Sequence, residues 1–165
     1  MITVRPLLPQ DQNSLQSILH RTGVFTDEEI GVAMELIDIV IKQPDQRDYQ
    51  IYTAAEGAAI LGYYCIGPTP MSVGTYDLYW IAVDPLSHNK GIGKKLLLHC
   101  ENAIREQSGR LVIAETSSQP KYQHTRQFYL RNDYRELARI KDYYKIDDDL
   151  VIYGKYVSQS PKVNH

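Results

Sequence analysis

Residues 77–93 read D-L-Y-W-I-A-V-D-P-L-S-H-N-K-G-I-G, and residues 94–104 continue K-K-L-L-L-H-C-E-N-A-I. The β-branched and aromatic run from Thr75 to Val83 predicts a strand. Pro85 and the glycines predict a loop. Gly91 to Gln107 predicts a helix that turns Ile92, Leu96, Cys100 and Ala103 inward. A strand, a glycine-bearing loop and a helix in that order put backbone N–H groups at a helix N-terminus, where a phosphate can sit. The strand before the loop can hold an extended ligand that carries amides.

The rest of the chain builds outward from this segment. Ile2 to Leu7 is a short strand, and Pro9 to Arg21 is a helix with Leu15, Ile18 and Leu19 at helical spacing, stopped by Gly23. Thr26 and Glu29 form a capping-box pattern. The helix they start runs to about Lys42, with Ile30, Met34, Ile37 and Ile41 on one stripe. Val32, Leu36 and Ile39 make a second apolar side, which implies burial between two layers or against a partner. Tyr49 to Ala55 and Ala59 to Ile66 read as a hairpin about Glu56-Gly57. Leu111 to Thr116 is a strand and Tyr122 to Arg131 a helix. Tyr134 to Ile140 and Leu150 to Val157 read as a closing antiparallel pair, turned at the acidic run Asp147-Asp148-Asp149. The order β α α β β β α β α β β fits an α/β class with an α+β mixed sheet and helices on both faces. One domain is expected over 1–157, followed by a polar, disordered tail over 158–165.

With 165 residues and a formal net charge of −2, the chain has room for a real core and no electrostatic reason to bind nucleic acid or an acidic membrane. No apolar run reaches membrane-spanning length, and the N-terminus lacks the apolar stretch of a signal peptide. Cys65 and Cys100 are the two cysteines and resemble no secreted disulfide framework. A cytoplasmic protein with reduced thiols is the expectation. The histidines and cysteines show no metal-ligand spacing, so no metal is expected. The acidic run lacks calcium-loop spacing.

The glycine loop fails two common phosphate patterns. A Walker A loop needs Gly where His88 stands, and a dinucleotide fingerprint needs Gly where Leu96 stands. A ligand with both an amide arm and a pyrophosphate is coenzyme A. In this light His88-Asn89-Lys90-Gly91-Ile92-Gly93 resembles the signature Gln/Arg-x-x-Gly-x-Gly/Ala of the GCN5-related N-acetyltransferase (GNAT) superfamily, with His88 in place of Gln or Arg and Asn89 in place of a frequent Gly. Downstream, Thr125-Arg126-Gln127-Phe128-Tyr129-Leu130-Arg131-Asn132-Asp133-Tyr134 resembles that family's A-x-x-F-Y-x-x-x-G-F, with Asp133 where Gly is usual. Asp adopts the left-handed conformation more readily than most residues.

The resemblance implies acetyl-CoA as acyl donor and an amine as acceptor. It implies that Ile81, Ala82 and Val83 carry the pantetheine arm by main-chain pairing. It further implies that the main chain of His88, Asn89, Lys90, Gly91, Ile92, Gly93 and Lys94 receives the pyrophosphate, with Lys94 and Lys95 adding charge. Tyr122 stands where many members carry an Asn that touches the cofactor. Tyr129 takes the place of the Tyr near the coenzyme sulfur, and Phe128 beside it is expected in the core.

Acetyl transfer needs a neutral amine, and a lysine-like amine with a pKa near ~10.4 is mostly protonated at neutral pH. It also needs a proton for the leaving thiolate. Tyr129 is the candidate acid. Asp77, which aligns with the catalytic Glu of the histone acetyltransferases that name the superfamily, and Glu115 on the next strand are rival candidates for the base; either could instead bind the cationic amine. Both cysteines look like packing residues, which favours direct attack in a ternary complex over a covalent acyl carrier. The alternative is a non-catalytic acetyl-CoA-binding regulatory module. The apolar second helix admits a homodimer.

Overall fold

The computed structural model describes residues 1–87 and 89–158. His88 and all of the expected tail except Ser158 lie outside the described residues. The strands are β1 (Ile2–Pro6), β2 (Gln50–Glu56), β3 (Ala59–Pro68), β4 (Thr75–Val83), β5 (Leu111–Ser117), β6 (Arg135–Lys145) and β7 (Asp148–Tyr156). The helices are α1 (Gln12–Thr22), α2 (Asp27–Lys42), α3 (Ile92–Glu106) and α4 (Gln123–Arg131). Contacts group the chain into two compact units, Met1–Gly67 with Tyr79–Cys100, and Pro68–Leu78 with the residues from Glu101 onward. Strand β4 and helix α3 each contribute one half to each unit.

In the first unit the strand order is β1-β2-β3-β4. β1 and β2 are antiparallel, from Ile2 opposite Glu56 to Pro6 opposite Tyr52. β2 and β3 form the expected hairpin, with a register shift between Ala54 and Ala55. Successive strand residues face opposite sides of a sheet, and Tyr63 and Tyr64 show what covers each side. Tyr63 packs in a core with Leu15, Ile18 and Leu19 of α1 and Ile30, Ala33 and Ile37 of α2. The Tyr64 hydroxyl lies 2.8 Å from His99 Nδ1 of α3. Helices therefore cover both faces here.

The capping box at Thr26 forms as its spacing predicts: Glu29 N–H donates to Thr26 Oγ1 at 3.1 Å, and Thr26 N–H donates to Glu29 Oε1 at 3.2 Å. The second apolar side of α2 is not buried between two layers. Val32 is 47% exposed, while Ile30, Ala33 and Ile37 carry the packing. Leu36 of the second side is partly buried against the same core, so that side is only partly covered within this chain.

In the second unit the order is β4-β5-β7-β6. The β4–β5 pair is parallel and short, with Thr75, Tyr76 and Asp77 opposite Leu111, Val112 and Ile113. β5 and β7 are antiparallel over seven pairs, from Leu111 opposite Tyr156 to Ser117 opposite Leu150. The last two strands are longer than their sequence pattern predicts, and only Asp147 of the acidic run belongs to the turn. The turn is Ile146-Asp147, with Asp147 at φ +64°, and Asp148 and Asp149 belong to β7. The reason lies in partners distant in sequence. Buried Asp148 accepts hydrogen bonds from Ser117 Oγ and from Gln119 Nε2, the latter at 2.9 Å. Asp149 accepts from the Asp142 N–H at 3.0 Å and from Arg139 at 3.2 Å.

Candidate active site

In the first unit, β4 runs directly into the glycine loop. Asp84 fixes the corner. Its N–H donates to Leu61 O at 2.8 Å, its carbonyl accepts from Ser87 N–H at 2.9 Å, and its carboxylate accepts from Leu86 N–H at 3.1 Å. Arg21, in the last turn of α1, donates Nε and Nη2 to the two oxygens of the same carboxylate at 3.1 and 2.7 Å. A bidentate pair of this kind sets orientation as well as charge, and the hydrogen bond to Asp84 holds the Arg21 guanidinium above its ordinary pKa. Gly62 lets β3 come close: a Cβ there would lie 2.6 Å from Ala82 O and 3.2 Å from Leu96 Cδ1.

Asn89 (φ +64°) and Gly91 (φ +66°) both take the left-handed conformation. Asn is among the few side chains that tolerate it, and Gly adopts it without steric cost. Gly91 O accepts from Lys95 N–H at 3.0 Å, closing the first turn of α3. The N–H groups of Ile92, Gly93 and Lys94 thus belong to the turn that has no intrahelical acceptor. A Cβ at Gly91 would meet nothing within 4 Å, so the space over the loop is open. This arrangement can receive an anion through main-chain donors alone.

The lysines around the loop are engaged differently. Lys95 Nζ donates to Ile2 O at 2.5 Å, which ties it to β1. Lys90 Nζ stands 3.6 Å from Glu56 Oε2, an exposed pair at the tip of the β2–β3 hairpin. Lys94 is exposed. Ile81 and Val83 are half-buried on β4 and Ala82 is buried, its side chain in the α1–α2 core.

The second unit holds the candidate acid and bases. Asp77 lies opposite Ile113, and Glu115 is two residues further along β5, so the two carboxylates share one face of the sheet. Asp77 is half-buried and accepts from Thr69 Oγ1 at 2.8 Å; Glu115 is exposed. Tyr129 belongs to the other face. Its ring stacks on Tyr153 (centroids 5.7 Å apart, 23°), and Tyr153 is opposite Ala114, the neighbour of Glu115. The structure reverses the expected division of labour on α4. Tyr129 is the buried ring, 4% exposed, and Phe128 is only half-buried. Tyr129 packs against both Tyr153 and Tyr134, whereas the Phe128 ring lies 5.6 Å from that of Tyr129. Asp133 adopts φ +68°, so the turn after α4 forms without the usual glycine. Tyr122 is half-buried, with Lys121 Nζ 5.2 Å from its ring centre.

Several residues escaped the sequence reading. Arg126 donates from Nη1 to Ser117 O and Gln119 O, both at 2.8 Å, and so fixes the link from β5 to α4. Burial, reinforced by the charge of Glu136, pushes the Tyr153 phenol above its ordinary pKa and keeps it a neutral platform. The Thr116 hydroxyl is buried without a hydrogen-bond partner among the described residues. No local pattern announces any of these; their partners are far away along the chain. Cys65 and Cys100 are buried thiols outside any disulfide, and burial pushes the Cys65 thiol up to about 12, which removes it as a nucleophile. Among the described residues no cluster of His, Cys, Asp and Glu could hold a metal ion, and no helix is long and apolar enough to cross a membrane.

The acetyltransferase (GNAT) domain family matches residues 47–136. A solved GNAT-family protein from Desulfovibrio desulfuricans is 40% identical, with a TM-score of 0.92 over 96% of this chain and 100% of that one. The ribosomal-protein-S18-alanine N-acetyltransferase of Escherichia coli shares the fold at 17% identity, with a TM-score of 0.77 over 100% and 99% of the two chains. So does the PaiA N-acetyltransferase of Thermoplasma acidophilum, solved in complex with coenzyme A, at 18% identity and a TM-score of 0.73 over 94% and 99%. A comparison with curated proteins gave no match. A strand running into a left-handed glycine at the head of α3, and a family match that spans it, lead to one assignment: this chain belongs to the GNAT family of acetyltransferases.

Proposed function

We propose that this acetyltransferase moves the acetyl group of acetyl-CoA to a primary amine of a small molecule or peptide, by direct attack in a ternary complex. The observation that carries this reading is the loop at Gly91. Its φ of +66° and the open space above it leave the first-turn N–H groups of α3 as ready donors to a diphosphate. Asn89, Lys90, Gly91, Ile92, Gly93 and Lys94 would hold the pyrophosphate, and the main chain of Ile81, Ala82 and Val83 the pantetheine amides, in the manner of an added strand. His88 and Tyr122 complete the proposed coenzyme-binding set.

In the reaction the amine nitrogen attacks the thioester carbonyl, a C–N bond forms and the C–S bond breaks. One amine proton passes to a carboxylate, Asp77 or Glu115, directly or through water. The thiolate takes its proton from Tyr129. Buried, unreactive Cys65 supports direct attack over a covalent acyl relay. The net charge of −2 gives no support for a nucleic-acid or acidic-membrane partner. Two buried thiols outside any disulfide support a cytoplasmic setting. The half-exposed side of α2 supports a homodimer, which sedimentation would reveal.

The test is calorimetry with coenzyme A, followed by a free-thiol assay with acetyl-CoA across polyamines, aminoglycosides, amino acids and peptide N-termini. Binding with amine-dependent thiol release is expected. Absence of heat on titration defeats the reading. Binding without thiol release across the panel turns it into a regulatory acetyl-CoA-binding module.

A further inference from the structure

We propose that Glu101 is a positioning residue for Tyr129, acting through Tyr134 with Lys155 as its counter-ion. The proposal rests on the reading of Tyr129 as the acid.

Glu101 is 1% exposed, in the half of α3 that belongs to the second unit. Taking a carboxylate out of water costs several kcal/mol unless partners compensate, and here they do. Oε1 lies 2.9 Å from Lys155 Nζ of β7, and Oε2 accepts from the Tyr134 hydroxyl at 3.1 Å. Arg105, one turn on, stands 3.9 Å away. A purely apolar contact would fill this space at lower cost. What the carboxylate adds is direction.

That direction leads to the candidate acid. Tyr134 is held at both ends. Its hydroxyl donates to Glu101, and its N–H donates to Tyr129 O at 3.0 Å. Its ring lies 5.5 Å from the Tyr129 ring at 51°, and Tyr153 stacks on that same ring. Lys155 reinforces the same turn: Nζ also donates to Asn132 O at 3.2 Å and stands 5.6 Å from the Tyr134 ring centre. The left-handed Asp133 folds the chain back so that these bonds converge. The last turn of α4, and with it the Tyr129 side chain, is thus anchored to a buried charge. A misplacement of about 1 Å in a reacting group can cost about a hundredfold in rate.

The decisive variant is Tyr134→Phe, which keeps the ring and the backbone bond and removes only the hydroxyl. With 3-fluorotyrosine at position 129, the parent protein should give one narrow fluorine NMR line, and Tyr134→Phe a broadened or split one. Arg5→Met, which destabilises a distant ion pair, should leave the line alone. In the thiol-release assay, with the best acceptor of the amine panel, Tyr134→Phe should lower kcat about tenfold and leave the KM for acetyl-CoA within about twofold. Glu101→Gln keeps an acceptor for the hydroxyl and should retain more activity than Glu101→Ala. Added to Tyr129→Phe, the Tyr134→Phe change should cost nothing further. An unaltered fluorine line, or an undiminished kcat in Tyr134→Phe while Tyr129→Phe is impaired, overturns the positioning role alone. Full activity in Tyr129→Phe overturns the acid assignment, and the positioning role with it.

Discussion

The glycine loop before α3 and the tyrosine cluster behind α4 are built on opposite principles. The loop is made of main chain. Its donors are peptide N–H groups, and its shape comes from two left-handed residues, Asn89 and Gly91, and from the Asp84 corner held by Arg21. The cluster is made of side chains, with Tyr129 on α4, Tyr153 on β7, Glu101 on α3 and Tyr134 in the turn after α4. A backbone site tolerates side-chain change wherever dihedral angles survive, which is how the loop forms with Asn89 where its relatives often carry Gly. A side-chain site depends on each member.

That contrast can be broken most sharply at Tyr129. Tyr129→Phe keeps the stack on Tyr153 and should lower kcat about a hundredfold or more, with the KM for acetyl-CoA nearly unchanged, as steady-state thiol release would show. A result that moves KM instead would assign the residue to coenzyme binding. Asp77→Asn and Glu115→Gln come next. One of them should cost about ten- to a hundredfold in kcat at neutral pH, a loss that shrinks as pH rises toward the pKa of the amine, and the other should stay within about threefold. Equal small losses would leave water as the proton acceptor.

The loop predicts smaller and differently distributed effects. Gly91→Ala places a Cβ on a residue at φ +66°, at a cost of about 1–2 kcal/mol, and coenzyme A affinity measured by calorimetry should fall about tenfold. Lys90→Ala removes an exposed charge and should cost about two- to threefold. If Lys90→Ala proves the worse of the two, the loop is a side-chain site after all. The smallest effect concerns neither region and serves as a control. Burial raises the pKa of Asp11, but hydrogen bonds from Arg5 and the Leu8 N–H outweigh it, and the carboxyl sits below its usual range. A depressed folded pKa means that the stabilisation is complete above the unfolded value near 3.8 and is lost as pH falls through the lower folded value. Thermal melts of Arg5→Met should therefore lose part of the wild-type dependence on pH below about 4, with catalysis at neutral pH unaffected.

Legibility in the sequence followed the same division. The strand–loop–helix unit was readable because each of its signals is local: β-branched residues alternate, glycines punctuate, and apolar residues recur at helical spacing. The hairpin and the capping box at Thr26 were readable for the same reason. The two sides of α2 were not, because composition shows that a face is apolar and not whether a layer covers it. The run Asp147-Asp148-Asp149 misled because an acidic triplet resembles a turn until Ser117, Gln119 and Arg139 arrive to satisfy it from elsewhere in the chain. Tyr129 was placed by resemblance and Phe128 was expected in the core, and the structure buries Tyr129 instead, packed against Tyr134 and Tyr153.

By itself the sequence determined the order of elements, the mixed sheet and the glycine loop that opens α3. All of these rest on interactions within a few residues. Only the tertiary structure decided that Asp77 and Glu115 share a face, that Tyr129 lies on the other, and that a buried carboxylate at position 101 reaches the turn behind it. Those facts depend on strand register and on hydrogen bonds between residues 30 or more apart, and no local pattern of polarity encodes them.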